Sequence, residues 1–292
     1  MSDAEAGTER LVAFMAAKTR LLRLAYRHLG SVADAEDVVQ EAWLRFEGAG
    51  EVRDAPRLLS TIVTRLCLDR MKSAAARREI YVGPWLPEPL AGTGQEPSED
   101  AALDISFAVM RALERLSPAE RAAFFLHDLW ELSYEEIAQT LARSPQTCRK
   151  LVSRARGALG EARQRYRPSR EEVERLVTVF RASVEDGDPA RLKALLAEDA
   201  ELIGDGGGKV LAALNPILGA DAVSRFLVGI AGKLPAGTET SAEPTTINDQ
   251  PALLIRINGA LDHTLAFDVD ADRRIRTIYI VRNPDKLARL QA

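Results

Sequence analysis

Residues 144–159 place basic and polar side chains along one side of a helix, where they can bind an anionic polymer. Apolar residues recur at helical spacing here and in the segment before, which gives two helices a shared inward face of Ile137, Ala138, Leu141, Cys148, Leu151, Val152, Ala155 and Leu159. The outward face holds Gln146, Thr147, Arg149, Lys150, Ser153, Arg154 and Arg156. These side chains can donate hydrogen bonds to phosphates or to the major-groove edges of bases, and the helix start offers backbone N–H groups to a phosphate.

Two short helices joined by a three-residue turn must position this face. A capping box beginning at Ser133 predicts the start of the first helix, and Ser144 followed by Pro145 predicts the start of the second. Another capping box, at Ser117, predicts a helix before them. The pair has the dimensions of a helix-turn-helix. Basic side chains on an exposed helix are often only solvated, but eight basic residues against one acidic residue in 143–167 favour DNA binding.

The first 79 residues have the pattern of a helical bundle. Apolar spacing predicts a helix over 7–29, which Gly30 ends, and a second helix beginning near Asp34. The second helix has an apolar stripe on one side and acidic side chains on the other. After a loop at 48–56, a third predicted helix ends in a basic segment. This part of the chain is therefore expected to be all-α.

The middle and the end of the chain have different patterns. Residues 81–98 hold four prolines among glycines and acidic residues, which disfavours helix and leaves few apolar groups to bury, so we predict a linker. Beyond Pro168, two or three helices are followed by alternating apolar segments. Strands are predicted at 200–203, 252–258, 261–269 and 275–282. With a short helix from Asn283, the last part is predicted to be α+β.

The composition sets the broad class. A chain of 292 residues suits two or three domains, and no apolar run approaches the roughly 20 residues of a membrane helix. The first ten residues lack the features of a secretory signal, so we expect a cytoplasmic protein without a membrane partner. The net charge of −4 conceals positive charge before residue 79 and between 111 and 167. The two cysteines, Cys67 and Cys148, lie in apolar phases and predict buried side chains; no metal and no cofactor are predicted.

Two segments resemble a known family. The stretch from Asp34 to Phe46, DAEDVVQEAWLRF, resembles the polymerase-binding helix of region 2 in extracytoplasmic-function sigma factors of the sigma-70 family. The stretch from Leu132 to Leu141, LSYEEIAQTL, followed by 144–159, is similar to their region 4. Both motifs occur in the expected order and distance, and together they cover about the first 165 residues.

A narrower resemblance concerns the subgroup with a C-terminal SnoaL-like or NTF2-like domain, the ECF41 group. Three motifs carry it: WLPEP, DGGGK and NPDKL. They comprise Trp85, Leu86, Pro87, Glu88, Pro89; Asp205, Gly206, Gly207, Gly208, Lys209; and Asn283, Pro284, Asp285, Lys286, Leu287. The implied fold is multi-domain, with two all-α domains and a C-terminal α+β domain. The expected boundaries are 1–79 for the region 2 bundle, 80–107 for the linker, 108–167 for the region 4 helix-turn-helix, and 168–292 for the SnoaL/NTF2-like domain.

The resemblance implies a factor that binds RNA polymerase core and directs transcription initiation at promoters. Region 2 would contact the β′ clamp helices through Asp34, Asp37, Gln40 and Glu41. Trp43 and Phe46 would support that face from beneath, and the β flap is a further expected partner on the polymerase. Without the family, ordinary solvation would explain the acidic face.

Promoter DNA is the second implied partner. The loop at 48–56 and the helix after it would bind the melted −10 element, with basic side chains following phosphates and a pocket receiving an unstacked base. The candidates are Arg57, Arg65, Arg70, Lys72, Arg77 and Arg78. Region 4 would bind the −35 element as a duplex. Its candidates are Gln146, Thr147, Arg149, Lys150, Ser153 and Arg154.

The C-terminal domain is expected to adjust activity in cis. The resemblance suggests that the DGGGK and NPDKL motifs lie near the linker motif, with Trp85 otherwise exposed and in need of a surface. A dissociable anti-sigma factor is therefore not expected. The glycine loop lacks the length and the Lys-Ser/Thr ending of a P-loop, so a tight turn is preferred over a phosphate site.

Catalysis in the C-terminal domain remains an alternative, since some relatives of this fold are enzymes. His263 alternates onto the same strand face as Leu265 and Phe267 and could line a cavity, although a packed core histidine is the more common outcome. Asp262 is expected on the opposite face, so no acid/base pair is predicted, and the chain is predicted not to be an enzyme. A small ligand in the cavity is left open. The two rival functions are a stand-alone repressor or activator and a SnoaL-like enzyme fused to a DNA-binding module.

Overall fold

The computed structural model describes residues 3–50, 52–79, 81–91, 105–163 and 169–291. They form two compact units, which are described separately. The first unit comprises the described residues of Met1–Glu79 and Val109–Arg163 together with Ile105, and the second those of Ile80–Pro97, Ser106–Ala108 and Gln164–Ala292. Within the described ranges, no helix has the length and apolar character needed to span a bilayer.

Three helices open the first unit: α1 (Asp3–Leu29), α2 (Val32–Glu47) and α3 (Ala55–Glu79). The second helix begins earlier than the pattern around Asp34 predicted. Ser31 is the N-cap, because its hydroxyl accepts a hydrogen bond from the backbone N–H of Asp34 at 3.3 Å. Of the predicted apolar stripe of α2, Val39, Ala42 and Phe46 are buried and Trp43 is half-buried; Val38 is buried as well.

Four more helices complete the first unit: α4 (Phe107–Glu114, its first residues in the second unit), α5 (Pro118–Asp128), α6 (Tyr134–Leu141) and α7 (Pro145–Arg163). The sequence analysis did not predict α4. The capping boxes at Ser117 and Ser133 are both formed. A left-handed Ala142, with φ of 51°, ends α6 and turns the chain into α7. The structure therefore contains the predicted helix-turn-helix.

The core of the helix-turn-helix follows the predicted phase. Ile137, Ala138, Cys148, Val152, Ala155 and Leu159 are buried, and Leu141 and Leu151 are half-buried. Cys67 in α3 is also buried, and burial raises the pKa of its thiol. Both cysteines are therefore packing residues of the helical unit.

The second unit is built on a six-stranded sheet. Its strands are β1 (Leu196–Asp205), β2 (Ile217–Leu218), β3 (Thr240–Ile247), β4 (Gln250–Ile257), β5 (Ala260–Val269) and β6 (Ile275–Val281). They lie in the order β2-β1-β6-β5-β4-β3, with β1 and β6 parallel and the other neighbours antiparallel. Of these strands, β2 and β3 were not predicted from the sequence. Both lie at the edges of the sheet, and β3 contains Pro244 and mostly exposed side chains, so it lacks an alternating apolar pattern.

Four helices accompany this sheet: α8 (Arg170–Glu185), α9 (Pro189–Ala194), α10 (Ala220–Ala231) and α11 (Pro284–Leu287), with a 3-10 turn at Ala288–Leu290. One core contains Phe180, Leu192 and Val223 from α8, α9 and α10 with Leu202, Leu265 and Phe267 from the strands. A second core contains the next residues along these strands, Ile203 and Ala266. This is an α+β arrangement, as the sequence predicted.

The second core includes residues from the predicted linker. Leu86 and Phe107 pack with Ile247, Tyr279 and Leu287, and both are fully buried. The Phe107 ring stacks on Tyr279 with 5.2 Å between centroids. The expectation that 81–98 has few apolar groups to bury is therefore wrong for 81–91, because Leu86 in that stretch packs against one face of the sheet. Residues 92–104 lie outside the described part of the chain.

Candidate nucleic-acid interface and linker contacts

The outward face of α7 carries exposed polar and basic side chains in the predicted order. Gln146, Arg149, Lys150, Ser153 and Arg154 are all exposed. Thr147 is half-buried, and it belongs to the cap of the helix: its backbone N–H donates to the Ser144 hydroxyl at 3.2 Å, and the two hydroxyls lie 2.8 Å apart. The first turn of α7 is thereby ordered for contact with an anion.

Three arginines of this helix contact other residues of the protein, and the contacts distinguish the roles of the three side chains. The Arg149 guanidinium lies 4.9 Å from the centre of the Tyr134 ring, and Arg154 lies 3.8 Å from Glu120 while remaining largely exposed. Arg156 instead forms a two-pronged ion pair with Asp128, with Nη2 at 2.7 Å and Nε at 3.1 Å. Hydrogen bonds to Asp128 raise the pKa of Arg156, which marks it as a residue that holds α7 on α5.

The acidic face of α2 is exposed but partly paired. Arg70 of α3 donates to Asp34 at 3.0 Å and to Asp37 at 3.3 Å, while Glu41 accepts from Arg45 at 2.6 Å. Gln40 is exposed beside them. The structure therefore joins a candidate −10 residue, Arg70, to two candidate polymerase-binding carboxylates.

Aromatic residues lie beneath this face, as the resemblance implied. Phe46 is fully buried, and Trp43 is half-buried. The Trp43 ring lies 5.0 Å from that of Phe14 in α1 and 6.3 Å from that of Phe46. Aromatic packing of this kind restrains the helix backbone from which the acidic side chains project.

Two candidate −10 residues contact the helix-turn-helix within the same unit. Arg57 donates to the Glu136 carboxylate at 2.8 Å, and Arg65 donates to the carbonyls of Gln139 and Thr140 at 3.3 and 3.4 Å. Of the other candidates, Lys72 pairs with Asp69 at 2.9 Å. The side chains of Arg77 and Arg78 lie outside the described residues.

One buried and one exposed arginine make further contacts that were not predicted from the sequence. Arg121 of α5 is almost fully buried and donates to the carbonyls of His28 and Leu113 at 2.5 and 2.6 Å. Arg20 of α1 donates to the Leu129 carbonyl, and its guanidinium lies 4.5 Å from the Trp130 ring. The sequence signal that could have identified Arg121 is its position, since it is a basic residue in the apolar phase of α5.

Asp205 is the centre of the contacts between the linker and the sheet. Its carboxylate is fully buried and accepts hydrogen bonds from the Tyr81 hydroxyl at 2.5 Å and from the Leu86 backbone N–H at 2.8 Å. The Lys286 ammonium donates to the same carboxylate at 2.7 Å and to the Leu86 carbonyl at 2.5 Å. We call Asp205, Asn283 and Lys286, with their linker partners Tyr81 and Leu86, the linker clamp.

The three predicted interdomain motifs meet at this clamp. Asn283 donates to the Tyr81 hydroxyl at 2.9 Å, and its own side-chain oxygen caps α11. The Lys286 ammonium lies 4.4 Å from the centre of the Trp85 ring, which is half-buried rather than exposed. Burial and the Asp205 carboxylate raise the pKa of Tyr81, so its hydroxyl stays protonated and donates.

The remaining motif residues extend the contact along the linker. Pro87, Glu88 and Pro89 are buried, and the Glu88 carboxylate lies 3.6 Å from Arg289. Further along, Leu90 and Asn248 exchange two hydrogen bonds, at 2.8 and 2.9 Å. The Gln250 side chain accepts from the Phe107 N–H at 2.8 Å. Sequence reasoning missed Tyr81, Asn248 and Gln250, although for the last two the polar residues at the junction of β3 and β4 were a usable signal.

The glycine loop is a tight turn that packs against the clamp. Gly207 and Gly208 have φ of 62° and 70°, and a Cβ on Gly207 would lie 2.2 Å from the Asn283 amide nitrogen. A Cβ on Gly208 would lie 3.0 Å from the Val82 side chain. Lys209 forms an ion pair with Asp285. Backbone conformation and close packing therefore account for the glycines.

A cavity of about 550 Å³ lies on the other side of the sheet, between the strands and α8 and α10. His263 lines it, as its strand phase allowed, but the expected opposite orientation of Asp262 is wrong: both residues line the cavity. The register of β5 on β4 shifts so that Ile255 pairs with His263 and Arg256 with Leu261. Asp262 is the extra residue of this β-bulge, which breaks the alternation.

The fold and these surfaces define a DNA-binding transcription factor with an appended α+β unit. Residues 13–77 match the family model Sigma-70 region 2, and 106–159 match Sigma-70, region 4. The chain is 36% identical over 289 residues to the ECF RNA polymerase sigma factor SigJ of Mycobacterium tuberculosis, covering 94% of this chain and 91% of the relative. It is 34% identical over 290 residues to the probable ECF RNA polymerase sigma factor SigI of the same species, covering 96% and 95%.

A solved structure agrees with the sequence relatives. The crystal structure of the M. tuberculosis extracytoplasmic function sigma factor SigJ matches with a TM-score of 0.73 and 32% identity, over 95% of this chain and 98% of that one. These matches span nearly the whole chain, so they include the C-terminal unit. The chain belongs to the extracytoplasmic-function sigma factors of RNA polymerase, and the alternative of a stand-alone repressor or activator is set aside.

Proposed function

We propose that the described surfaces divide the work of promoter-directed initiation by RNA polymerase. The exposed face of α7, with Arg149 and Lys150 at its centre, binds the −35 duplex. The basic side of α3 binds the melted −10 strand, and the acidic side of α2 binds the β′ clamp helices, with the β flap as a further partner. The exposure and charge of each surface support this division. The factor acts in the cytoplasm with the polymerase and catalyses no reaction of its own.

The contacts within the first unit imply that regions 2 and 4 must part before both promoter elements are bound. Arg57 and Arg65, two of the −10 candidates, are occupied by Glu136 and by carbonyls of α6. Exposed pairs of this kind are individually weak, at about 0–1 kcal/mol. The polymerase and the anionic DNA can therefore compete for these arginines, and the free factor holds a less active arrangement.

The C-terminal unit regulates the factor in cis by holding the linker. The observation that carries this proposal is the fully buried Asp205 carboxylate, which accepts from Tyr81, Leu86 and Lys286. A buried carboxylate that loses its partners is destabilised strongly, so the clamp is either made completely or released. Because the regulator is part of the chain, a dissociable anti-sigma factor is not required.

Run-off transcription with purified polymerase core tests both the DNA-binding role of α7 and the regulatory role of the linker clamp. Arg149→Ala with Lys150→Ala should weaken protein-dependent transcripts. Lys286→Met removes the clamp ammonium and should raise transcript yield about fivefold, since interdomain coupling free energies commonly have that size. Lys233→Met, at an exposed lysine of the same unit, is the matched control and should leave yield unchanged.

Two results would overturn the assignment. Wild-type yield from Lys286→Met, with an equal affinity for polymerase core, would rule out regulation by the clamp. A chain that neither binds core nor yields new transcripts, even without its C-terminal unit, would not be acting as a sigma factor at all.

A further inference from the structure

The cavity of the second unit has the size and lining of a small-molecule site. Its volume of about 550 Å³ falls in the range of ligand pockets, roughly 300–1,000 Å³. The walls are mostly apolar and come from α8, α10 and five strands, with Phe180, Phe226, Leu253, Ile255 and Leu265 among them. Leu211 and Ile230 also line it yet are exposed, at 88% and 47% of their surface, so the cavity opens to solvent beside apolar side chains.

A group of three polar side chains lies on one wall. His263 Nδ1 lies 2.7 Å from the Asp262 carboxylate, and Arg282 donates to that carboxylate through Nε at 2.9 Å and Nη2 at 3.0 Å. Hydrogen bonds from His263 and Arg282 outweigh burial and lower the pKa of Asp262 to about 2. The carboxylate is therefore ionised at neutral pH and can only accept hydrogen bonds.

This arrangement determines which hydrogen-bond donors and acceptors the cavity wall presents to a ligand. Because Asp262 can only accept, the Nδ1 atom of His263 that faces it carries a hydrogen, and in the tautomer with one ring hydrogen Nε2 is an acceptor. The third donor group of Arg282, Nη1, is bonded to the Leu211 carbonyl at 2.8 Å. Arg282 is thus neutralised by Asp262 and directed at protein oxygens, which makes it a poor partner for an anionic ligand.

We propose that this cavity binds a small, mainly apolar alcohol or phenol, whose hydroxyl donates a hydrogen bond to Nε2 of His263. The apolar walls supply the affinity and the histidine supplies the orientation. Asp262 and Arg282 position His263 and do not contact the ligand.

The cavity wall is continuous with the linker clamp. Gly204 and Arg282 line the cavity, and the next residues in the chain, Asp205 and Asn283, belong to the clamp. The backbone N–H groups of Arg282 and Asn283 both donate to the Asp205 carbonyl, at 2.8 and 3.0 Å. Occupancy of the cavity therefore restrains the same two strand ends that hold the linker, and the ligand is an effector of the factor. This coupling rests on the proposed regulatory function of the clamp, whereas binding itself does not.

Titration calorimetry with 2-naphthol and 2-methoxynaphthalene tests the binding. The two probes share the naphthalene ring and the oxygen, but 2-methoxynaphthalene has a methyl group in place of the hydroxyl hydrogen and cannot donate a hydrogen bond. The full chain should bind 2-naphthol about fivefold more tightly, the effect of one net hydrogen bond. His263→Leu should bind both probes equally. Ser241→Ala changes another polar residue of the lining and should keep the preference.

Several outcomes would overturn the binding proposal. The proposal is wrong if neither probe binds, or if the wild-type chain binds both probes equally. It is also wrong if the preference for 2-naphthol persists in His263→Leu. Ala242→Trp serves as a check on location, because it fills the cavity from β3 and should abolish binding of both probes while the thermal midpoint is retained. Undiminished binding in that variant would place the site elsewhere.

Hydrogen exchange at the Leu86 amide tests the coupling, since this amide donates to Asp205. Saturating 2-naphthol should slow its exchange about fivefold in the wild-type chain and have no effect in Ala242→Trp. Unchanged exchange at Leu86 despite tight binding would refute the coupling and leave the clamp proposal intact. Slowed exchange together with wild-type transcription by Lys286→Met would instead refute the clamp proposal alone.

Discussion

The Arg57 guanidinium lies 2.8 Å from the Glu136 carboxylate, which ties the start of α3 to the first turn of α6. The same carboxylate accepts the Ser133 backbone N–H at 2.7 Å and completes the capping box of α6. These hydrogen bonds, from Ser133 first and then from Arg57, lower the pKa of Glu136. One carboxylate thus serves both the helix-turn-helix and its contact with α3, the helix proposed to bind the −10 strand.

Glu136→Gln should release Arg57 without disrupting the helix, because glutamine also completes a capping box. We expect the affinity for a single-stranded −10 oligonucleotide to rise about two- to fivefold, the range of an exposed pair. Fluorescence anisotropy of labelled oligonucleotide measures it. Glu135→Gln is the matched control, since it removes the same charge from the neighbouring exposed position. Equal gains in both variants would show a general charge effect rather than release of Arg57.

Substitutions at two basic residues of α7 should separate an effect on DNA binding from an effect on stability. Lys150→Ala should weaken −35 duplex binding and reduce the slope of log K against log salt concentration by about one. The melting temperature should not change. Arg156→Met should lower the melting temperature instead, because it breaks the two-pronged pair with Asp128. Anisotropy at several salt concentrations and a thermal melt distinguish the two. A salt slope unaltered by Lys150→Ala would remove that residue from the DNA interface.

The glycine loop allows a matched test of clamp packing. Gly207→Ala and Gly187→Ala both place a Cβ at a positive φ, 62° and 67°, but only the first meets another residue, Asn283. Backbone strain should cost each about 1 kcal/mol, and Gly207→Ala should cost about 1–3 kcal/mol more through displacement of Asn283. Urea unfolding measures the difference. Equal losses would mean that the loop packs less closely on the clamp.

The Asp262 carboxylate should make the second unit sensitive to acid. Its pKa of about 2 in the folded chain lies below the ordinary value of about 4, so its stabilising effect is present above about pH 4 and is lost as the pH falls towards 2. The wild-type chain should therefore be more stable than Asp262→Asn at pH 6, and the gap should shrink by pH 3. Urea midpoints across this range provide the measurement, and a gap independent of pH would contradict the stated pKa.

Local patterns in the sequence were sufficient for the helical part of the protein. Capping boxes and apolar spacing depend on residues within a few positions of each other, so the helix-turn-helix, its buried positions and its exposed basic face could be predicted. The proposed role of the acidic face in polymerase binding rests on the family resemblance, because composition alone is equally consistent with ordinary solvation. The capping of α2 by Ser31 shows the limit of such patterns at element boundaries.

Tertiary structure decided which distant residues meet. The contact of Arg57 with Glu136 joins positions 79 residues apart, and that of Tyr81 with Asp205 joins positions 124 apart; no periodicity specifies such pairs. The inward turn of Asp262 depends on one extra residue in β5, and strict alternation predicts the opposite face. Leu86 is buried only because a sheet formed far along the chain leaves a face to cover. By itself the sequence determined most helices of the first unit and the surfaces they present, whereas folding in three dimensions determined the clamp and the polar wall of the cavity.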